Sequence, residues 1–365
     1  MLLECKRQPD FGRLRRALLR QEEPDRVPLL ELKADPEIVA HVMGVSHDIP
    51  LDRIEKQRWT ELEVRFWHGL GFDAVRVRGG MQLPRTLIPA EDTADLKRST
   101  RDWQSETEGP IANWDDFERF PWPRAADADF SHIEYAASIL PEGMKLLPSP
   151  YGMLEPLMWL MGYTPFALAL YDAPDLISAM VEQITAIYVP IAEALIEMDC
   201  VGGLFTPDDM GFRSGTLVAP NHLRQYVFPY HKRLAEIAHT HGKLYILHCC
   251  GNVEAVMDDL IEDVKIDAKH SFEDIIMPVE TVKARYGKRM GIVGGIDIDL
   301  LARGTEQDVR GRVRQVLDAC MPGGGYALGT GNSVTNYIPV QNFMAMVDEG
   351  HSWRPIGVNP GEKPG

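Results

Sequence analysis

Cysteine is scarce, with five in 365 residues and two of them adjacent. An odd and sparse set cannot build the paired framework of a small secreted scaffold, and it fits a reducing cytoplasm. Basic charge is outweighed: 38 Lys and Arg stand against 54 Asp and Glu, a net charge of −16. Such a surface repels nucleic-acid phosphates and anionic lipid, so neither is an expected partner. No window reads as the roughly 20 apolar residues of a membrane span. The charged start from Met1 to Arg26 lacks the apolar run of a signal peptide. Repeats at solenoid periods are missing, and no GxGxxG opens the first strand–helix unit, which lowers a dinucleotide-binding reading. What is present is ordinary for a globular protein, 45% hydrophobic and 25% charged. Disordered and fibrous classes are excluded, and the chain is long enough to bury a large core.

Short β-branched or apolar runs closed by Gly, Pro, Asn or Asp recur at Val27–Ala34, Asp73–Gly79, Lys145–Gly152, Val201–Asp209, Lys243–Gly251, Asp267–Ser271, Met290–Asp297 and Gly325–Gly331. Helix-period stretches separate them, clearest at Ala173–Glu197, Pro220–His241, Asn252–Glu262, Pro278–Tyr286 and Thr305–Ala319. Thr305 followed by Asp308 resembles a capping box. Eight βα units predict an α/β protein of the (β/α)8 TIM-barrel class, residues 1–350 forming one domain. The stretch from Gly80 to Met144 is too long for a βα connection and reads as an inserted lid between strands 2 and 3. Residues 351–365 read as an irregular tail.

In a barrel, chemistry gathers where strands end at their carboxyl side. Those ends carry Glu31, Arg76 and Arg78, Glu155, Asp208 and Asp209, His248 with Cys249 and Cys250, His270, Asp297, and Thr330 with Asn332. The sharpest local pattern is Leu247-His248-Cys249-Cys250-Gly251-Asn252. Alternation along a strand sends His248 and Cys250 to one face and Cys249 to the other. A nitrogen and a sulfur converging on one point suit zinc, with Cys249 a small buried hydrophobe against the helices. The plain structural alternative makes all three core residues. Asp208 and Asp209 are adjacent, so at most one reaches a pocket unless the chain turns. Glu155 lies among apolar residues, where burial would raise a carboxyl pKa. It also reads as a helix-start glutamate. His270 reads as a ligand, an acid–base group or a polar core residue. Met153, Met158 and Met161 read as packing.

The order of motifs resembles the uroporphyrinogen decarboxylase superfamily over nearly the whole chain. The resemblance rests on Glu23-Pro-Asp-Arg-Val-Pro28, Asp172-Ala-Pro-Asp-Leu176, Val227-Phe-Pro-Tyr-His-Lys-Arg-Leu234, Gly294-Gly-Ile-Asp297, Gly325-Tyr-Ala-Leu-Gly-Thr-Gly331 and Ile338-Pro-Val-Gln-Asn-Phe343. It implies a distorted (β/α)8 barrel. True decarboxylases of this superfamily carry an arginine-bearing RQAGRY where this chain has Leu30-Glu-Leu-Lys-Ala-Asp35. They carry an Asp where it has Val75-Arg-Val-Arg-Gly-Gly80, and a histidine where it has Thr330. His248-Cys-Cys-Gly-Asn252 is instead similar to the HxCGN motif of the corrinoid-dependent, methylcobamide:coenzyme M type methyltransferases. Glu108-Gly-Pro-Ile111 with Trp114 and Phe120-Pro-Trp-Pro123 resembles their insert. That branch implies His248 and Cys250 as zinc ligands. Its third ligand is a cysteine where this chain has Thr330, so a further ligand is sought among Glu155, Asp208, Asp209 and His270.

The resulting expectation is a cytoplasmic, zinc-assisted methyltransferase. It would move a methyl group between a methylated substrate or methyl-corrinoid protein and a thiol-type acceptor. Glu155, Asp208, Asp209 and His270 are the expected catalytic groups; Glu31, Arg76, Arg78, Arg213 and Asn332 are the expected substrate contacts. Expected partners are a small methyl donor or acceptor, a corrinoid protein and a second copy of the chain. Two alternatives stay open: a metal-independent decarboxylase or lyase working through Asp208 and Glu155, and a barrel that binds cobamide or another small ligand without turnover.

Overall fold

The computed structural model describes residues 7–45, 55–92, 94, 96 and 101–355. Most of the predicted irregular tail (356–365), the chain's first six residues and part of the predicted lid lie outside them. All eight predicted strand positions carry parallel β structure. The first, around Leu29, makes only isolated bridges, to Leu328, and at Ala34 to Val334. The strands are β1 Ala74–Arg78, β2 Leu87–Ala90, β3 Arg101–Gln104, β4 Lys145–Ser149, β5 Gly203–Pro207, β6 Gly211–Phe212, β7 Gly215–Thr216, β8 Leu244–His248, β9 Ala268–His270, β10 Gly291–Val293 and β11 Tyr326–Ala327. One parallel sheet runs β5-β8-β9-β10-β11 and another pairs β1 with β4. The two meet where Gly202 N–H donates to the Leu146 carbonyl at 2.9 Å. On the far side Leu30 N–H donates to the Leu328 carbonyl at 3.0 Å. Between the Leu29 segment and β1, among the described residues, no backbone ladder forms. There the Arg76 guanidinium reaches the Leu32 carbonyl at 3.5 Å.

Period-two alternation gives one face of the strands two successive layers. Leu30 and Leu32, Ala74, Leu147, Phe205, Ile246, Ala268, Val293 and Ala327 form one buried apolar cluster. Helix Phe11–Leu18 plugs it from below through Phe11, Leu14 and Leu18. Two residues further along the same strands the side chains turn polar: Arg76 after Ala74, Ser149 after Leu147, His248 after Ile246, His270 after Ala268. The sequence thus builds an apolar floor with a polar layer above it, at the carboxyl ends.

The helices follow the sequence signals with two departures. Thr305 caps helix Glu306–Cys320 reciprocally with Asp308, as expected. Pro220–His241 is interrupted. Pro229 offers no N–H and crowds the carbonyl four residues back, and the helix widens to π geometry over Leu223–Val227 before resuming as Phe228–Thr240. Asn252–Glu262 becomes a 3-10 turn at Glu254–Val256 and a π turn at Asp259–Val264. The expectation that no window could span a membrane needs correction. Helix Pro174–Glu197, 24 residues, is long and apolar enough by length and composition. Its Ile177, Met180, Ile184, Ile187, Ile191 and Leu195 lie buried on one face, the pattern of a helix packed on a core. The predicted lid holds hairpin β2–β3 and helices Trp114–Arg119 and Ser131–Ile139.

The turn into β4 depends on Gly143, at φ +85°. Its carbonyl accepts the Phe11 N–H at 2.9 Å, and an added Cβ would stand 2.1 Å from the Pro9 carbonyl oxygen. Gly143→Ala therefore combines a left-handed backbone strain with a backbone clash. We expect a loss of about 2 kcal/mol or more in urea unfolding. An unchanged midpoint would mean that the turn relaxes freely.

Candidate metal centre

The polar layer converges on His248 and Cys250 at the end of β8, with Asp209 just past β5. His248 Nε2 lies 3.3 Å from Cys250 Sγ and 3.4 Å from an Asp209 carboxylate oxygen. One ligand atom from each of the three residues falls within 4.8 Å of the others. His248 and Cys250 thus share one face, as alternation along the chain requires. Cys249 points the other way into the apolar core, its thiol accepting from the Met210 N–H at 3.3 Å and pushed up to about 12 by burial.

Asp208 and Asp209 separate as their adjacency demands. Asp208 is fully buried and aims away from the cradle. It accepts from the N–H groups of Met153 at 2.8 Å, Leu154 at 3.0 Å and Glu155 at 2.8 Å. His231 lies 2.7 Å from the same carboxylate and 2.6 Å from the Tyr245 hydroxyl. Both Asp208 oxygens are taken, so the expectation of a catalytic or ligating Asp208 is corrected: it caps helix Leu154–Met161. Gly152 makes this approach feasible. An added Cβ there would lie 2.2 Å from the Asp208 Cγ, and its N–H donates to the Pro207 carbonyl at 3.1 Å. Asp209, partly exposed, accepts from the Cys250 N–H at 2.8 Å, and burial raises its pKa.

His270 also departs from the expected role. It stands behind His248 rather than beside the sulfur, its Nδ1 2.7 Å from His248 Nδ1 and its Nε2 3.2 Å from the Thr330 carbonyl. Burial lowers both imidazoles, His270 to about 3 and His248 well below its ordinary value. Glu31, placed with the substrate contacts, is enclosed beneath Thr330. The Thr330 N–H donates to it at 2.5 Å and the Thr330 hydroxyl lies 2.9 Å from its other oxygen. Burial pushes the Glu31 carboxyl up to about 8, and no open surface is left for a ligand.

Other expected contacts divide cleanly. Asn332 touches the centre, its amide donating to Cys250 Sγ at 3.1 Å, and the Ser271 hydroxyl reaches the same sulfur at 3.5 Å. These two donors favour a negative sulfur, while burial first and then the neighbouring Asp209 carboxylate raise the thiol pKa well above its ordinary value. Arg76 points inward, donating to Ser149 Oγ at 2.6 Å, with its Nε lacking a partner. Glu155 sits in the first turn of helix Leu154–Met161, raised to about 8 by burial first and then by Asp209 and Asp208. Arg78 and Arg213 are exposed, Arg213 on the β6–β7 hairpin. Sequence reasoning missed His231, a histidine on the apolar face of a helix. It also missed Arg85, whose guanidinium stacks 3.5 Å over the Trp159 ring. Beside the triad opens a cleft of about 1300 Å³, bordered by Lys33, Asp274, Asp297, Asn332, Ser333 and Tyr337.

The donor set fits a borderline cation. Tetrahedral zinc holds nitrogen at about 2.0–2.1 Å and sulfur at about 2.3 Å, which puts bound N and S roughly 3.5 Å apart. The His248–Cys250 separation of 3.3 Å is close to that. A nitrogen, a sulfur and a carboxylate leave one corner open, as catalytic sites require.

Known proteins resemble this chain in sequence and in fold. The family model for uroporphyrinogen decarboxylase (URO-D) matches residues 17–353. A methylated-thiol–coenzyme M methyltransferase of Methanosarcina mazei is 33% identical over 136 residues, 37% of this chain and 34% of the relative. The match thus spans about a third of that relative's length. A solved methyltransferase from Methanosarcina mazei shares the fold, with a TM-score of 0.66 over 93% of this chain and 97% of its own at 17% identity.

Glu31 generates a pH prediction. Its folded pKa of about 8 stands above its ordinary 4.5, so between those values the native state binds the extra proton. Stability from the protonated acid is complete below about 4.5 and fades as pH rises to 8. Glu31→Gln lacks this titration and can still accept from Thr330. From pH 5 to 8 its unfolding free energy should gain on the wild type by up to about 1.4 kcal/mol per pH unit. Parallel curves in denaturant titrations would show that Glu31 is ionised in the fold.

Proposed function

Because the chain belongs to the uroporphyrinogen decarboxylase family, we propose that it is a methyltransferase of that family built on a closed, distorted (β/α)8 barrel. It takes a methyl group from a small methylated substrate or a methyl-corrinoid protein and passes it to a thiol-type acceptor. Support for closure is the single apolar cluster to which all eight strand positions contribute. The segment 80–144, with its hairpin and helices, serves as the lid of this barrel. The observation that carries the activity is the Asp209–His248–Cys250 triad at the carboxyl ends of neighbouring strands.

Asp209, His248 and Cys250 would hold zinc, which would supply Lewis-acid chemistry that lowers the pKa of an acceptor thiol. The chain's own groups do the rest. Asn332 and Ser271 donate to Cys250 Sγ and would stabilise the thiolate that a bound cation requires. Glu155, with a carboxyl near neutrality, is poised to exchange the proton that the thiol releases. Arg76, buried beside Ser149 with an unused Nε–H, orients an anionic end of the substrate. The new sulfur–carbon bond forms as the old bond to the methyl carbon breaks, its electron pair staying with the carrier. A decarboxylase reading through Asp208 finds less support, since that carboxylate is sealed and fully engaged.

Protein purified without chelators should contain zinc near one ion per chain, together with methyl transfer from a methylated thiol or methylcobamide to a free thiol. His248→Ala or Cys250→Ser should reduce both to background, while Asp209→Asn weakens zinc retention without abolishing the fold. Elemental analysis and product assay of the four proteins check this. Wild-type protein that stays metal-free on incubation with zinc would defeat the reading.

A further inference from the structure

We infer that His270 is a positioning residue for this centre: a one-directional hydrogen-bond relay from the Thr330 carbonyl through His270 to His248 leaves the His248 Nε2 lone pair facing Asp209 and Cys250. The inference rests on reading that triad as a metal site, and it adds what determines which form of His248 the site presents.

Proton placement follows from one acceptor. A carbonyl oxygen only accepts, so His270 Nε2, 3.2 Å from the Thr330 carbonyl, carries the hydrogen. The neutral ring then has a bare Nδ1. That atom lies 2.7 Å from His248 Nδ1, a contact that needs one proton between the nitrogens. His248 Nδ1 supplies it, and His248 Nε2 is left bare. This second nitrogen lies 3.3 Å from Cys250 Sγ and 3.4 Å from the Asp209 oxygen. The opposite tautomer would aim an N–H at the carboxylate and close the cradle to a cation.

The first acceptor is itself fixed. Thr330 is held by its N–H and hydroxyl to Glu31 of the first strand position. Phe205 packs edge-on against the His270 ring at 5.7 Å between centroids, and both imidazoles are buried. Neither ring can turn over without losing a partner that water cannot replace. Metal-ligating histidines generally owe their orientation to a group on the second nitrogen. Here that group is another imidazole, and the relay ends on backbone.

The test is on the tautomers and on affinity. In metal-free wild-type protein labelled with 15N at histidine, long-range proton–nitrogen spectra at pH 7 should show His270 protonated at Nε2 and His248 at Nδ1. His248 protonated at Nε2 would overturn the relay. His270→Phe keeps the ring volume and removes both nitrogens, whereas His270→Asn keeps an acceptor near Nδ1. In competition with a chelator, zinc affinity should fall about 10–100-fold in His270→Phe and recover in part in His270→Asn. A folded His270→Phe protein with unchanged affinity would also overturn it. If His270→Phe does not fold, the wild-type spectrum decides alone. If the wild type binds no zinc, the function proposed above fails while the tautomer measurement still judges the relay.

Discussion

A carboxylate sealed from water must find every hydrogen bond inside the protein, and at Asp208 that requirement ties the upper half of the structure together. Its oxygens gather the N–H groups of Met153, Leu154 and Glu155 where the helix after β4 begins, and the imidazole of His231 from the helix before β8. Its own N–H donates to the His248 carbonyl at 2.9 Å. One residue, through side chain and backbone, thereby joins the ends of neighbouring strands to two helices. Removing a partner would strand a buried charge, which costs far more than an ordinary hydrogen bond contributes. Asp209 follows on the opposite side of the same extended backbone, so its aim into the cradle is a by-product of where Asp208 is pinned.

Much of this was legible in the residues. Short apolar runs closed by Gly, Pro, Asn or Asp located all eight strand positions, and alternation separated Cys249 from its neighbours and required Asp208 and Asp209 to part company. It could not say which aspartate faces the cradle, because that depends on a helix start more than fifty residues away in the chain. His231 was invisible for a related reason: a histidine on an apolar helix face looks the same whether it meets a carboxylate or a carbonyl. Thr330 illustrates a subtler limit. Read as a side chain it is a missing ligand, yet in the fold its main-chain oxygen and amide matter, and no pattern of residue types exposes those. The break at Leu223–Val227 follows from Pro229, whereas the π turn at Asp259–Val264 has no such marker in the sequence.

Fold and chemistry stand at different distances from the known proteins. The architecture is shared with a methyltransferase at 17% identity, which speaks for the scaffold, while activity lives in the few residues mounted on it. Those residues lie between walls of unlike charge. Arg76 and Arg85 occupy one side, and the open cleft beside Asn332 is bordered by Asp274 and Asp297 with Lys33 among them.

Gly152 has no chemistry of its own, yet it links two distant parts of the chain. The space that a β-carbon would fill there is already taken by the Asp208 carboxyl. A homologous chain that acquires alanine at this position must shorten or lose the acid opposite, and with it the anchor of the following helix. The two positions are therefore constrained to change together, and a paired replacement at them would mark where a lineage has rebuilt its catalytic rim.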